Sequence, residues 1–210
     1  VGAIHLIRHG QASFGSDDYD QLSALGTRQG SCLGLAWEAA DFRPHWSVAG
    51  SLRRHAQTAV AVLDAVDGDL YDVDAGWDEY DHLALAGETV TPTTDPREFQ
   101  AHLDAALGAW VSGAPSPVES FAEFSARVLR ALDEAVAQAG SGRRVAVFTS
   151  GGPIALVASH LLAGDASLFI PLNRVVVNAS VTTLIVGRGG TRLLTYNEHG
   201  HVPADQVTFR

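Results

Sequence analysis

Residues 3–7 form a short, mostly apolar and partly β-branched run that passes directly into Arg8, His9 and Gly10. Such a run reads as a strand covered on both faces, as in a parallel sheet with helices on either side. Gly10 lets the backbone turn. In open α/β sheets ligands bind beyond the carboxyl ends of the strands, so a guanidinium and an imidazole delivered there face a pocket. An isolated Arg-His pair more often caps a strand and bonds nearby carbonyls, so partners elsewhere in the chain decide whether chemistry is involved.

Composition narrows the partners. With 210 residues, 46% of them hydrophobic, the chain can bury a substantial core as one generous domain. Against 24 Asp+Glu stand 14 Lys+Arg, a formal net charge of −10. That balance opposes sequence-independent nucleic-acid binding, which rests on neutralising phosphates. Any anion site must be locally basic. The single cysteine, Cys32, excludes an internal disulfide and a multi-cysteine metal site. No early basic-apolar-small pattern precedes the first strand and no apolar run approaches the ~20 residues of a membrane span, so a soluble, cytoplasmic protein is expected.

Along the chain, residues 14–21 read as a polar loop at the pocket mouth, and Ser23 caps a helix whose core face includes Leu25, Cys32, Leu33 and Trp37. Cys32 reads there as a small buried hydrophobe. Residues 46–50 form a second strand, followed by a helix with Ser51 as its cap. Arg53 and Arg54 fall in that helix's first turn, where the macrodipole is already positive. Two arginines there either extend into water or make sense beside a bound anion. His55 reads as a helix-surface residue.

Residues 70–74 read as a strand leading into the acidic run Trp77, Asp78, Glu79, Tyr80, Asp81 and His82. The stretch 87–117, with its prolines and threonines, suits an insertion over the pocket, helical over 95–111. Ser120 and Glu123 spell a capping box for a helix that buries Phe121, Phe124, Val128, Leu132 and Ala135. Residues 144–148 are another buried strand, followed by Thr149, Ser150, Gly151, Gly152 and Pro153; a proline at the first helical position leaves free amides pointing where an anion would lie. Residues 175–181 and 193–197 are strand-like, joined by a hairpin at 187–190. His199 and His201 share a face, but without a third ligand they read as a structural tail.

Leu6, Ile7, Arg8, His9 and Gly10 together resemble the Arg-His-Gly signature of the histidine phosphatase, or phosphoglycerate mutase-like, superfamily. The resemblance extends to Leu22, Ser23, Gly26 and Gln29, to Arg54, Gln57, Thr58 and Ala59, to Glu79, to the Ser150-Gly151-Gly152 turn, and to Asn178, Ser180, Asn197 and His201. It implies a three-layer α/β sandwich, a mainly parallel sheet between helices, as a single domain over 1–210 with a partly helical cap at about 80–140. It implies His9 as nucleophile, Arg8 and Arg54 as the phosphate-binding pair and Glu79 as proton donor, with Asp78 and Asp81 as neighbouring acids in nearly the same register. Gln11, Ser13, Ser150 and Gly151 are the expected further substrate contacts. The superfamily usually has a second histidine at position 150 and a small residue at position 55; this chain has Ser150 and His55.

A phosphomonoester carries roughly two negative charges near neutral pH. Two arginines can grip it by charge-assisted, often bidentate bonds. A neutral His9 could attack phosphorus in line and Glu79 protonate the departing oxygen. Such a transfer requires chiefly positioning and electrostatic stabilisation, so no cofactor and no metal are expected. The expected activity is therefore a metal-independent phosphatase of the histidine acid type, working through phosphohistidine on a small phosphorylated metabolite, with no nucleic-acid or membrane partner; a homodimer stays open. Ser150 adds one hydrogen bond and no charge, which lowers the expected rate. A non-catalytic phospho-ligand binding protein would need only Arg8 and Arg54. A mutase and a hydrolase using Ser150 as nucleophile are the lesser alternatives.

Overall fold

The first strand, β1 (Gly2–Arg8), lies in the middle of a six-stranded mixed sheet. The computed structural model describes residues 1–13, 20–68, 70–86 and 96–209. The expected loop over 14–19, and 87–95 of the expected insertion, lie outside them. After β1 come α1 (Ala24–Ala39), β2 (Trp46–Ala49), α2 (Arg53–Leu63), the two-residue β3 (Asp72–Val73), α3 (His82–Ala86), α4 (Pro96–Val111) and α5 (Phe121–Gln138). Then β4 (Arg144–Thr149), α6 (Gly151–Ala163), α7 (Phe169–Asn173) and the hairpin β5 (Val181–Gly187) and β6 (Gly190–Glu198) complete the chain.

The sheet order is β3-β2-β4-β1-β5-β6. β1, β2, β3 and β4 are mutually parallel, while β5 runs antiparallel to β1 and to β6. The carboxyl ends of β1, β2 and β4 therefore open on one edge. Alternation along the strands separates two cores. Ile4, Leu6, Val145 and Val147 pack with Phe124, Ile154 and Phe169 on one face. Ile7, Ala146 and Phe148 pack with Leu33, Trp37 and Val62 on the other. His5 joins that second face, edge-on to Phe42 at 4.8 Å, and burial beside Arg144 holds its imidazole near pKa 4, hence neutral. The result is the expected α/β sandwich, helices on both sides of the sheet.

The capping box of α5 is present as read: Ser120 Oγ accepts from Glu123 N, and the Glu123 carboxylate accepts from Ser120 N. Ser23 likewise caps α1, accepting from Gly26 N at 3.0 Å. Other boundaries move. The buried face of α1 is Gly26, Gln29, Gly30, Leu33, Gly34 and Trp37, with Cys32 only partly covered, because its glycines bring the helix close to neighbouring backbone. α6 begins at Gly151, which puts Pro153 third rather than first in the helix. The apolar run 175–180 is not a strand; Ala179 takes a positive φ of 58° and the segment folds beneath the end of β1. Among the described residues, no helix is long and apolar enough to cross a membrane.

Close backbone approach is most acute where α1 meets the turn after β1. A Cβ on Gly26 would lie 2.1 Å from Gln11 O, and one on Gly10 would lie 2.2 Å from Gly26 O. Helix propensity favours alanine over glycine by ~1 kcal/mol inside a helix, whereas forcing a methyl into packed backbone costs ~1–3 kcal/mol. The second effect wins here because both contacts are with main chain. Gly26→Ala is therefore expected to lower the thermal midpoint by several degrees, since 1 kcal/mol moves a chain of this size by about 2–4 °C. A scanning denaturation measurement checks it, and a rise in the midpoint would contradict the packing argument.

Candidate active site

The end of β1 is pinned on every side. Arg8 N donates to Ser180 O and His9 N to Thr149 O, while His9 O accepts from Asn178 Nδ2 and Ala179 N. The 175–180 segment, apolar but not a strand, thus holds the backbone that carries His9. Arg8 Nη1 donates to Val176 O in the same segment. The His9 ring is 6% exposed, and its Nδ1 lies 2.7 Å from Gly10 O. A carbonyl only accepts, so Nδ1 carries the proton and Nε2 keeps a lone pair. Burial, then the charges of Arg54 and Arg8, then His55, hold His9 well below the usual imidazole pKa.

The short motifs that follow have local reasons. Gln29 Oε1 accepts from Gln11 N at 2.8 Å, and its amide nitrogen donates to Gln206 O and Thr208 Oγ1, so one buried side chain ties the post-β1 turn to the tail. Gln11 itself accepts from Ser23 Oγ through its side chain. Ser13 N bonds to Gln21 O at the edge of the described residues. On α2, Thr58 Oγ1 accepts from Gly10 N and donates to Arg54 O, and Gln57 Oε1 accepts from Leu22 N. These bonds dock α2 against the β1 turn and present Arg54 beside His9.

Arg54 is 7% exposed, and its Nη1 lies 2.8 Å from Asp20 Oδ1. Asp20 Oδ2 also accepts from Arg53 N at 2.7 Å. A carboxylate therefore sits at the N-terminus of α2 where its dipole favours an anion. Ser51 does not cap this helix: the cap is Leu52, without a side-chain bond, and Ser51 instead gives both its N–H and its hydroxyl to Asp78.

The acidic run enters from the opposite wall. Thr149 Oγ1 donates to Trp77 O, and Arg127 of α5 donates to Gly76 O and Asp78 O while paired with Glu119 at 2.7 Å. These bonds fix which acid faces inward. Glu79 accepts from Gly152 N at 3.2 Å and from Tyr80 N at 3.2 Å. A Cβ on Gly152 would lie 2.1 Å from Glu79 Oε1, so a side chain there would evict the carboxylate. Burial raises the Glu79 pKa against the opposing pull of the Gly152 amide, Arg54 and Arg8. Asp78 points the other way, toward Ser51, and Asp81 accepts from Ala84 N on the exposed side.

Ser150 is fully buried at the start of α6, but its hydroxyl does not cap that helix. It lies 2.7 Å from His55 Nε2. His55 is the largest departure from the sequence expectation: the surface residue is completely buried, its ring 5.8 Å from that of His9 and its Nδ1 3.7 Å from Asp78 Oδ1. α2 turns this side chain inward because position 55 follows Arg54 into the pocket wall. Arg8, His9, Arg54, Glu79, Ser150 and Gly151 thus converge at one sheet edge, while the Gln11 side chain is engaged in the adjoining turn. His55, Asp20 and Arg127 join the site without having been expected there, and Asp78, expected only as a neighbour of Glu79, binds Ser51. The unusual His55 was the one signal available in the sequence. Among the described residues no group of three or more His, Cys, Asp or Glu side chains could hold a metal, and His201 Nε2 bonds Ala179 O instead.

Solved structures share this architecture. A mycobacterial glucosyl-3-phosphoglycerate phosphatase complexed with inorganic phosphate is 26% identical, covering 97% of this chain and 100% of its own, with a TM-score of 0.69. A phosphoserine phosphatase mutant from Entamoeba histolytica in complex with phosphoserine is 18% identical over 97% and 100%, TM-score 0.73, and a Bacillus anthracis phosphoglycerate mutase 18% identical over 95% and 94%, TM-score 0.64. No curated protein matches the sequence. The family model of the histidine phosphatase superfamily (branch 1) matches residues 4–199, and with that span covering nearly all of the sheet and its helices, the chain belongs to this superfamily.

Proposed function

We propose that this protein is a metal-independent phosphomonoester hydrolase that works through a phosphohistidine at His9 on a small phosphorylated metabolite. The observation that carries the reading is the neutral, tautomer-locked imidazole of His9, with Nε2 unprotonated and two arginine charges acting on it. Buried cations around a neutral nucleophile suit an anionic substrate. In the first step the Nε2 lone pair bonds to phosphorus, the P–O ester bond breaks, and the leaving oxygen takes the proton of Glu79. In the second, water attacks phosphorus, gives its proton to the Glu79 carboxylate, and the N–P bond breaks to restore His9. Arg8 and Arg54 hold the phosphoryl oxygens throughout, and Asp20 leaves Arg54 as the substrate arrives. The phosphatase names among the structural neighbours support the class.

A second reading has one observation in its favour: Ser150, His55 and Asp78 stand in line, as a serine nucleophile with its base and orienting acid would. The guanidinium groups of Arg8 and Arg54 beside this line suit a dianion better than a neutral ester, however.

His9→Ala is expected to abolish turnover of an aryl phosphomonoester while inorganic phosphate still binds. Wild-type protein quenched during turnover of a ³²P-labelled substrate should carry acid-labile label that the variant lacks. Equal turnover in the two proteins would end the proposal.

Glu79 yields a second expectation. Its raised pKa keeps the carboxyl protonated above the ordinary carboxylate range, so kcat/KM, which reports the free enzyme, should fall as pH rises beyond that range. The depressed His9 pKa places the acid-side loss below the usual imidazole range. Glu79→Gln should remove the alkaline fall and cost ~10²–10⁴ in kcat/KM with an alkyl phosphate, the range of general acid catalysis. It should cost much less with p-nitrophenyl phosphate, whose leaving group needs no proton. Equal losses on both substrates would exclude Glu79 as the donor.

A further inference from the structure

The buried His55 is not explained by packing. An imidazole with no exposed surface loses its hydration, and its Nδ1 has no hydrogen bond, only Asp78 Oδ1 at 3.7 Å. The fold nevertheless makes room for the pair. A Cβ on Gly50 would lie 2.3 Å from His55 Nδ1 and 2.6 Å from Asp78 Oδ1, so the end of β2 is bare where the two meet. Asp78 is held by Ser51 N at 2.6 Å and by the Ser51 hydroxyl. On its other side His55 Nε2 meets Ser150 Oγ at 2.7 Å, drawing the hydroxyl away from any capping bond to α6. The line Ser51–Asp78–His55–Ser150 therefore runs from the surface to the wall beside His9.

We infer that His55, steadied by Asp78, is a positioning residue that aims the Ser150 hydroxyl proton at the phosphoryl group, so that α2 supplies the imidazole which this family usually carries at position 150. The inference rests on the phosphatase reading and deepens it. A hydroxyl can accept one hydrogen bond while donating another. With the pocket empty, a proton on Nδ1 faces Asp78, and Nε2 accepts from Ser150. When a doubly charged phosphoryl group arrives, a proton taken up at Nε2 lets His55 donate to Ser150 Oγ, which frees the hydroxyl proton for a phosphoryl oxygen. The groups that face His55 are Asp78 from the acidic turn, Arg54 on its own helix, His9 from β1 and Asp20 from the loop before α1. Burial and Arg54 lower its pKa and the two aspartates raise it, so the empty site favours the neutral ring and the bound dianion favours the charged one.

A double-mutant cycle with proton-linked calorimetry tests this. Ser150→Ala and His55→Ala should each lower kcat/KM for an aryl phosphomonoester by roughly 100-fold, the lower range for loss of one stabilising donor, and the double variant should lose no more than either single one. His55→Gln, whose amide can donate from nearly the same point, should recover most of the loss and guards against a folding defect in the alanine variant. Sulfate, which stays a dianion across the range, should bind wild type with an enthalpy that changes with the buffer's ionisation enthalpy, reporting proton uptake, and should bind His55→Gln with a smaller dependence. Additive losses, undiminished turnover in His55→Ala, or buffer-independent sulfate binding by wild type would each overturn the inference while His9→Ala inactivity left the phosphatase reading intact. Inactivity of Ser150→Ala together with full activity of His9→Ala would instead identify Ser150 as nucleophile and overturn both.

Discussion

The bond between His9 Nδ1 and Gly10 O is the interaction on which the site depends. It fixes the proton on the ring nitrogen away from the pocket, and that fixes the other nitrogen as the one with a lone pair. A free imidazole would exchange tautomers and, near carboxylates, would tend to charge. Here burial and the surrounding guanidinium groups oppose charging, so the same cations that would bind an anion also keep this imidazole neutral. The carbonyl can serve as acceptor only because the turn at Gly10 is held by Thr58 from α2 and stacked on Gly26 of α1. Sheet, helices and tautomer are thus one constraint.

Three glycines express it in backbone. Gly26 lets α1 approach the β1 turn, Gly50 opens the end of β2 for His55 and Asp78, and Gly152 admits the Glu79 carboxylate to the start of α6. At each position a methyl group would meet another atom closer than 3 Å. The polar side chains at this edge therefore owe their placement to residues that have none. Removing a glycine here would act on the chemistry through displacement rather than through lost contacts.

Much of this was legible in the sequence because it is local. The strand-to-turn change at residues 7–10, the N-cap at Ser23 and the capping box at Ser120 depend on a few consecutive residues, and the structure contains all three. The convergence of Arg8, His9, Arg54 and Glu79 followed from family wording and not from periodicity. What was not legible depends on long-range geometry. Residues 175–180 are apolar enough for a strand, yet β5 starts only at Val181, because Asn178 and Ala179 are spent on the His9 carbonyl. Ser51 looked like a cap until Asp78, 27 residues away, took its hydroxyl. His55 stands where the resemblance puts a small residue, which reads as helix surface, and only the crossing of α2 over the sheet edge leaves Arg53 exposed and turns both Arg54 and His55 inward.

Charge ties these observations together. The chain as a whole repels anions, with a net charge of −10, yet its sheet edge gathers Arg8, Arg54 and the start of two helices. The acids present there resolve the conflict in different ways. Asp20 pairs with Arg54, Glu79 is pushed toward its neutral form by burial, and Asp78 is stabilised as a carboxylate by Ser51 and His55. On the proposed reading a phosphoryl dianion would compete with the first, add to the pressure on the second and bring a proton onto the His55 ring that the third steadies. One carboxylate would thereby be displaced, one would serve as proton donor and one would anchor a proton acceptor. That division of labour follows from position alone, since the three side chains share the same functional group.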